Sequence, residues 1–281
     1  MKDKIILFFK GIILGVSFVI PGVSGGTLAV TMGLYEELIE AISHFYQSKG
    51  NFKKYFLFIL PIALGIVVSV VLFARIIKFG LDKMPVITIM FFMGLILGGI
   101  PSLLKKISNH KYGFKDFIYM FVGILVLLVL SVLSPSDNAV LSLSFVGIIK
   151  LLFVGIIASA SMVVPGISGS FMLMIMGFYE PIINLINDIT SFNNIVHNIL
   201  LACPFGIGIV LGIVTIAKLI EKCLKKYERQ TYCVIIGFVF ASLLQIFITI
   251  FDYNFTITDI IVGIILMSLS ASFIYKFFSQ K

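Results

Sequence analysis

Residues 19–27 read VIPGVSGGT, and residues 163–171 read VVPGISGSF. Each stretch sets a proline, glycines and a serine inside an apolar run, which is the composition of a broken helix. Pro21 and Pro165 remove a backbone donor, Gly22, Gly25 and Gly26 permit helix-breaking conformations, and Ser24 can cap the helix that follows. Laid over each other without gaps, Gly11–Glu36 and Gly155–Glu180 are identical at 13 of 26 positions, among them Ser17/Ser161, Gly33/Gly177, Tyr35/Tyr179 and Glu36/Glu180. Shared greasiness does not produce matched Pro, Ser, Tyr and Glu. The similarity continues at an offset of 143, pairing Pro61 with Pro204, Gly65 with Gly208, Ala74-Arg75 with Ala217-Lys218, Gly94 with Gly237 and Asp116 with Asp259. One unit is therefore used twice, with a join near residues 134–144.

Composition sets the surroundings of these breaks. Hydrophobic residues make up 60% of 281 positions, charged residues 12%, and the mean hydropathy is +1.16, too little polar material to cover a water-soluble core. The chain reads as an all-α polytopic membrane protein, with spans near 56–74, 86–104, 117–133, 199–217, 232–251 and 259–275. Lys2 and Lys4 ahead of the apolar run Ile5–Ile20 have the form of a signal peptide, and the second copy of that run argues against cleavage. Cys203, Cys223 and Cys233 have no metal-ligand or redox spacing, so neither metal nor disulfide is expected. The net charge of +8 has no soluble basic domain in which to bind nucleic acid, and it reads instead as topology.

The positive charges choose between two topologies. If each motif enters and leaves on one side, each unit crosses three times, the second is inverted, and 17 of the 21 Lys and Arg lie inside, leaving Arg75, Lys78, Lys83 and Lys150 outside. If the motif spans fully, the division is 14 to 7. The first arrangement is preferred. It gives a first repeat over 1–134 (re-entrant hairpin 5–45 plus three spans) and a second over 145–281 (hairpin 145–180 plus three spans), with both termini cytoplasmic.

Broken backbone at membrane depth is tolerated only where it is buried in protein or lines a wet cavity, and two breaks from inverted halves would meet near the midplane. Helices starting at the breaks aim N–H groups and positive dipole ends at the centre, so these ends, with the hydroxyls of Ser24, Thr27, Ser168 and Ser170, form a candidate anion site. A phosphate monoester carries about −1.5 to −2, whereas two helix ends supply roughly +0.5 each. About one negative charge then remains, and no Lys or Arg lies close to either break in the sequence. A co-transported proton or Na⁺ is therefore expected, ahead of a relay through Arg75 or Lys218, whose long side chains equally suit snorkelling to the interface. Glu36 and Glu180 lie 12 residues beyond the serines, roughly 18 Å along a helix, and read as solvated helix ends more than as site residues. Gly22-Val23-Ser24-Gly25 and Gly166-Ile167-Ser168-Gly169 also fit the GxSG of intramembrane serine hydrolases, but His44, His110 and His197 fall near predicted membrane ends or in loops.

With its duplicated PGxSGG-like motif, three further spans per half and this length, the chain resembles the undecaprenyl-phosphate translocases called PopT. The resemblance covers essentially the whole chain. It implies a non-enzymatic transporter in a bacterial plasma membrane that returns undecaprenyl phosphate, or a related polyprenyl phosphate, from the outer to the inner leaflet for cell-wall polymer synthesis. It also implies that Pro21–Gly26 and Pro165–Ser170 line the head-group path. Ser170 stands where the first copy has Gly26, so the two motifs need not act alike. Such a cargo needs a polar site for the phosphate and a lateral groove for the tail. A small-anion channel is the alternative from another class.

Overall fold

The computed structural model describes residues 2–17, 24–45, 49–108, 113–132 and 139–277. Among these the chain is helical and contains no strand. The first unit holds α1 (Lys2–Ser17), α2 (Gly25–Thr31), α3 (Tyr35–His44), α4 (Lys49–Lys83), α5 (Pro85–Leu97), α6 (Ile100–Ile107) and α7 (Phe114–Val132). The second holds α8 (Phe145–Val163), α9 (Gly169–Ile175), α10 (Tyr179–Thr190), α11 (Ile195–Lys226), α12 (Glu228–Ile248) and α13 (Ile257–Phe277). Apolar stretches long enough to cross a membrane run through α4, α5–α6, α11, α12 and α13, and α9 and α10, bent by 116°, qualify together. Leu64, Val67 and Val71 of α4 and Ile261, Ile265 and Leu269 of α13 are about half exposed or more, the lipid-facing surface of a membrane protein. The expectation of an all-α polytopic membrane protein holds.

Four helix pairs form the frame: α1 with α4, α8 with α11, α7 with α12, and α5 with α13. Each is a parallel pair, because the contacts climb both helices together. Gly11 and Gly15 of α1 lie against Ile62 and Ile66 of α4, while Gly155 and Ser159 of α8 lie against Phe205 and Gly212 of α11. Gly123 of α7 meets Gly237 of α12, and Gly94 and Gly98 of α5 meet Met267 and Ala271 of α13. At Gly65, Gly155, Gly208 and Gly237 even a methyl group would run into the backbone of the neighbouring helix. Small residues at these crossings let backbones approach closely, which is how helices associate where lipid gives no hydrophobic drive. The last helix of each unit thus packs against the other unit, and the two are interlaced.

The charges gather at one end of this frame. Arg229 at the start of α12 makes a bidentate ion pair with Asp116 at the start of α7, with its shorter contact at 2.7 Å. Lys106 of α6 meets Glu36 of α3 at 2.9 Å, Lys54 of α4 meets Glu40, and His44 of α3 meets Glu221 of α11 at 2.6 Å. The beginnings of α4, α7 and α12 and the ends of α3, α6 and α11 therefore share one face, called the basic end below.

Candidate functional site

Each break is built from the helix that precedes it. Ser17 and Ser161 occupy equivalent places in the last turns of α1 and α8, and their hydroxyls donate to the carbonyls of Leu14 and Ala158, both at 2.6 Å. Val163 then ends α8, and its carbonyl accepts from the Tyr35 hydroxyl of the first unit at 3.0 Å. Gly166 follows with φ +85, a region that side chains disfavour, and a side-chain carbon there would lie 2.8 Å from Leu127 and 2.9 Å from the Phe238 carbonyl.

The two breaks meet. The Gly166 N–H donates to the Thr27 hydroxyl at 2.7 Å, and a side-chain carbon on Gly26 would touch Pro165 at 3.2 Å. Thr27 is fully buried, so its hydroxyl serves the opposite break rather than a ligand. The structure therefore brings together Gly26, Thr27, Pro165 and Gly166.

Other expected site residues fall as follows. Ser24 and Ser168 stand at the N-cap positions of α2 and α9, but neither hydroxyl caps its helix. The buried Ser24 hydroxyl has no hydrogen-bond partner among the described residues, and the Ser168 hydroxyl lies 2.8 Å from that of Ser170. Gly25 and Gly169 open α2 and α9, which are only seven residues long. Two turns of helix carry a weaker end charge than the longer helices read from the sequence, so hydroxyls carry more of any anion binding. Pro21 and Gly22 lie outside the described residues.

Gly33 (φ +63) and Gly177 (φ +74) turn the chain again, so Glu36 and Glu180 are not 18 Å up a continuous helix. Glu36 is no plain solvated end either, because its carboxylate accepts from Lys106 and from the Tyr232 hydroxyl, joining α3 to α6 and α12. Glu180 is exposed at the start of α10. Arg75 lies in α4, and its side chain is outside the described set. Lys218 lines an open cleft of about 530 Å³ at the basic end with Ser43, His44, Glu221, Lys222, Lys225 and Lys226, a different place from the breaks. His197 lies in the first turn of α11, and His110 is outside the described residues.

Beside the second break is a cavity of about 100 Å³, room for several waters. Ser168, Ser170 and Gln245 supply its polar groups, and Leu127, Leu130, Phe171 and Met174 its apolar wall. Leu127 and Leu130 belong to α7, whose neighbouring Leu125, Leu128 and Val129 are exposed to the lipid side. Sequence reasoning missed Gln245, although a lone carboxamide in the apolar run FVFASLLQIFITI is an intramembrane polar residue of the kind that marks a pathway. It also counted Lys10 as a loop charge. Lys10 sits partly buried within α1, and its ammonium donates to the Met32 carbonyl at 2.7 Å, at the far end of α2.

A family model described as undecaprenyl phosphate translocase-like matches residues 14–259. The chain belongs to that family. It is 37% identical over 249 residues to the polyprenyl-phosphate transporter of Staphylococcus aureus, covering 87% of this chain and 86% of the relative. The polyprenyl-phosphate transporter of Vibrio cholerae is 29% identical over 250 residues, 85% of this chain and 76% of the relative. No solved structure matches. The resemblance seen in the motifs is thereby shown, and the chain is a multi-pass membrane protein of a lipid-carrier transport family.

Replacing Thr27 by Val keeps its volume but leaves the buried Gly166 N–H without an acceptor, a loss of about 1–3 kcal/mol. Thermal unfolding of the detergent-solubilised protein should show Thr27→Val clearly destabilised and Thr27→Ser close to wild type. Equal stability of the two would show that the interlock contributes nothing.

Proposed function

We propose that this protein carries undecaprenyl phosphate, or a polyprenyl phosphate close to it, between the leaflets of a bacterial plasma membrane, in the outer-to-inner direction that serves cell-wall polymer synthesis. The observation that carries this reading is the cavity beside the second break. Hydroxyls and a carboxamide suited to phosphate oxygens sit in an apolar wall that continues onto the lipid-facing side of α7. A head group enters such a site sideways while its tail stays in hydrocarbon. A small-anion channel has no use for that lateral wall. Among the described residues no lining side chain is a base, so Ser168 has no described neighbour there to activate it as a nucleophile, which favours the carrier over the hydrolase.

Carriage works by alternating exposure of a midplane anion site, and two inverted repeats, 1–134 and 145–281, supply the alternation. Their support is the interlaced frame: α7 runs parallel to α12, and α12 leads through eight residues into α13, a connection that forces spanning neighbours to run antiparallel. The equivalent helices α7 and α13 then point opposite ways. With the basic end cytoplasmic, a cysteine at Asn51 is expected to label from inside and one at Asn193 from outside, in a background without the native cysteines. Labelling of residue 51 from outside would reverse the orientation.

The charge left on the phosphate is met by a proton or Na⁺ moving with the lipid. Lys10 lies one short helix away from the first break and is held by Met32. Reconstituted protein should move a labelled polyprenyl phosphate across liposomes and respond to a pH or Na⁺ gradient. Gln245→Leu should raise the half-saturating lipid about tenfold, the worth of one hydrogen bond to a charged group, while Ser168→Ala weakens transport. Full loss in Ser168→Ala at normal protein level, with a hydrolysed product, would replace this reading with the hydrolase.

A further inference from the structure

The two halves carry the same sequence pattern in unlike environments. In the first motif Val30 and Ile39 are 3% and 2% exposed, whereas their counterparts at an offset of 144, Met174 and Ile183, are each 41% exposed. Helix α3 lies packed along α11, and among the described contacts α10 shows no comparable packing along α4. The frame differs too. Gly237 of α12 meets α7 at Met120 and Gly123, whereas Gly94 of α5 meets α13 at Met267 and Ser270, one helical turn beyond the equivalent positions Gly263 and Leu266. A pseudo-symmetric molecule whose halves differ by packed against unpacked, and by one turn of slip, is held in one of two related arrangements.

The packed side is fastened by polar contacts. His44 Nε2 of α3 lies 2.6 Å from the Glu221 carboxylate of α11, which also accepts from Lys225 at 2.5 Å. The side chains of His44 and Glu221 are 26% and 12% exposed. Other groups facing this contact are Lys218 and Lys222 of α11 in the same cleft, and Ser43 of α3. Carried to the other half at the motif offset of 144 for α3 and 143 for α11, His44 becomes Asp188 of α10, Glu221 becomes Lys78 of α4, and Lys225 becomes Asp82. An acid between two bases at one end corresponds to a base between two acids at the other. The positive-inside bias accounts for the bases His44 and Lys225 giving way to acids, but not for the acid Glu221 giving way to Lys78. A pair that must close in its own turn accounts for both.

We propose that His44–Glu221 is a latch closing the basic end, and that Asp188 and Lys78 form the matching latch at the opposite end when the first one opens. Here α3 is fastened to α11 at the basic end, and the second motif, beside its cavity, is the less packed one. This inference rests on the alternating-exposure reading above. The four residues position helices and touch no cargo.

The test uses the full-length chain in proteoliposomes, without native cysteines, carrying either His44→Cys with Glu221→Cys or Lys78→Cys with Asp188→Cys. Both pairs should form disulfides, each stopping transport of labelled polyprenyl phosphate until reduced, and a chain with all four cysteines should form one bond or the other. Lys78→Asp alone should slow turnover severalfold with little change in half-saturating lipid, and adding Asp188→Lys should restore it. Failure of the 78–188 bond in a transporting protein, both bonds together in one active chain, or absence of rescue overturns the proposal. If the unmodified protein moves no lipid, the carrier reading falls, while the disulfide pattern still decides whether the two ends exchange.

Discussion

Backbone that leaves the helical ladder inside a membrane must find its hydrogen-bond partners within the protein, and the architecture answers to that constraint. Each break frees carbonyls behind it and N–H groups ahead of it. Ser17 and Ser161 add hydroxyls to the last turns before the breaks, Tyr35 takes the Val163 carbonyl, and Thr27 takes the Gly166 N–H. The partners for the second break come from the first unit. The second half does not satisfy its own break alone, and the chain interlaces its units through α7 with α12 and α5 with α13. The glycine crossings make that interlacing close enough to hold.

The same arrangement explains where a ligand can act. Polar groups consumed by the interlock, Thr27 and the Gly166 N–H among them, are unavailable to cargo in this conformation. Groups beside the interlock, Ser168, Ser170 and Gln245, face a cavity with an apolar wall. A phosphate with a long hydrocarbon tail matches both surfaces at once. The basic cleft around Lys218 lies apart from this cavity and gathers positive charge at the basic end.

The membrane class and the meeting of the breaks were legible because their signals are strong: proline and glycine in an apolar run, repeated with matched Ser, Tyr and Glu. The helix break at Gly33 and Gly177 was visible as a matched Met-Gly-x-Tyr, but a lone glycine in a membrane helix more often marks close packing than a turn, so the helices after the breaks were read as too long. Lys10 was assigned by charge counting, which ignores depth. Gln245 lies 74 residues past the second break's Phe171, and only the packing of α12 against α7 brings it to the cavity beside α9. The ion pairs of Glu36 and His44 join residues 70 to 177 positions apart, which no local pattern announces.

The central claim is that the phosphate of a polyprenyl phosphate occupies the cavity beside the second break. A photoreactive polyprenyl phosphate with its diazirine on the first isoprene unit, activated in proteoliposomes and mapped by mass spectrometry, tests it directly. The account predicts labelling in α9 around Ser170–Met174 and in α7 or α12 near Leu127 and Gln245, competed by unlabelled lipid. Competable labelling confined to the Lys218 cleft, with none at these positions, would contradict it.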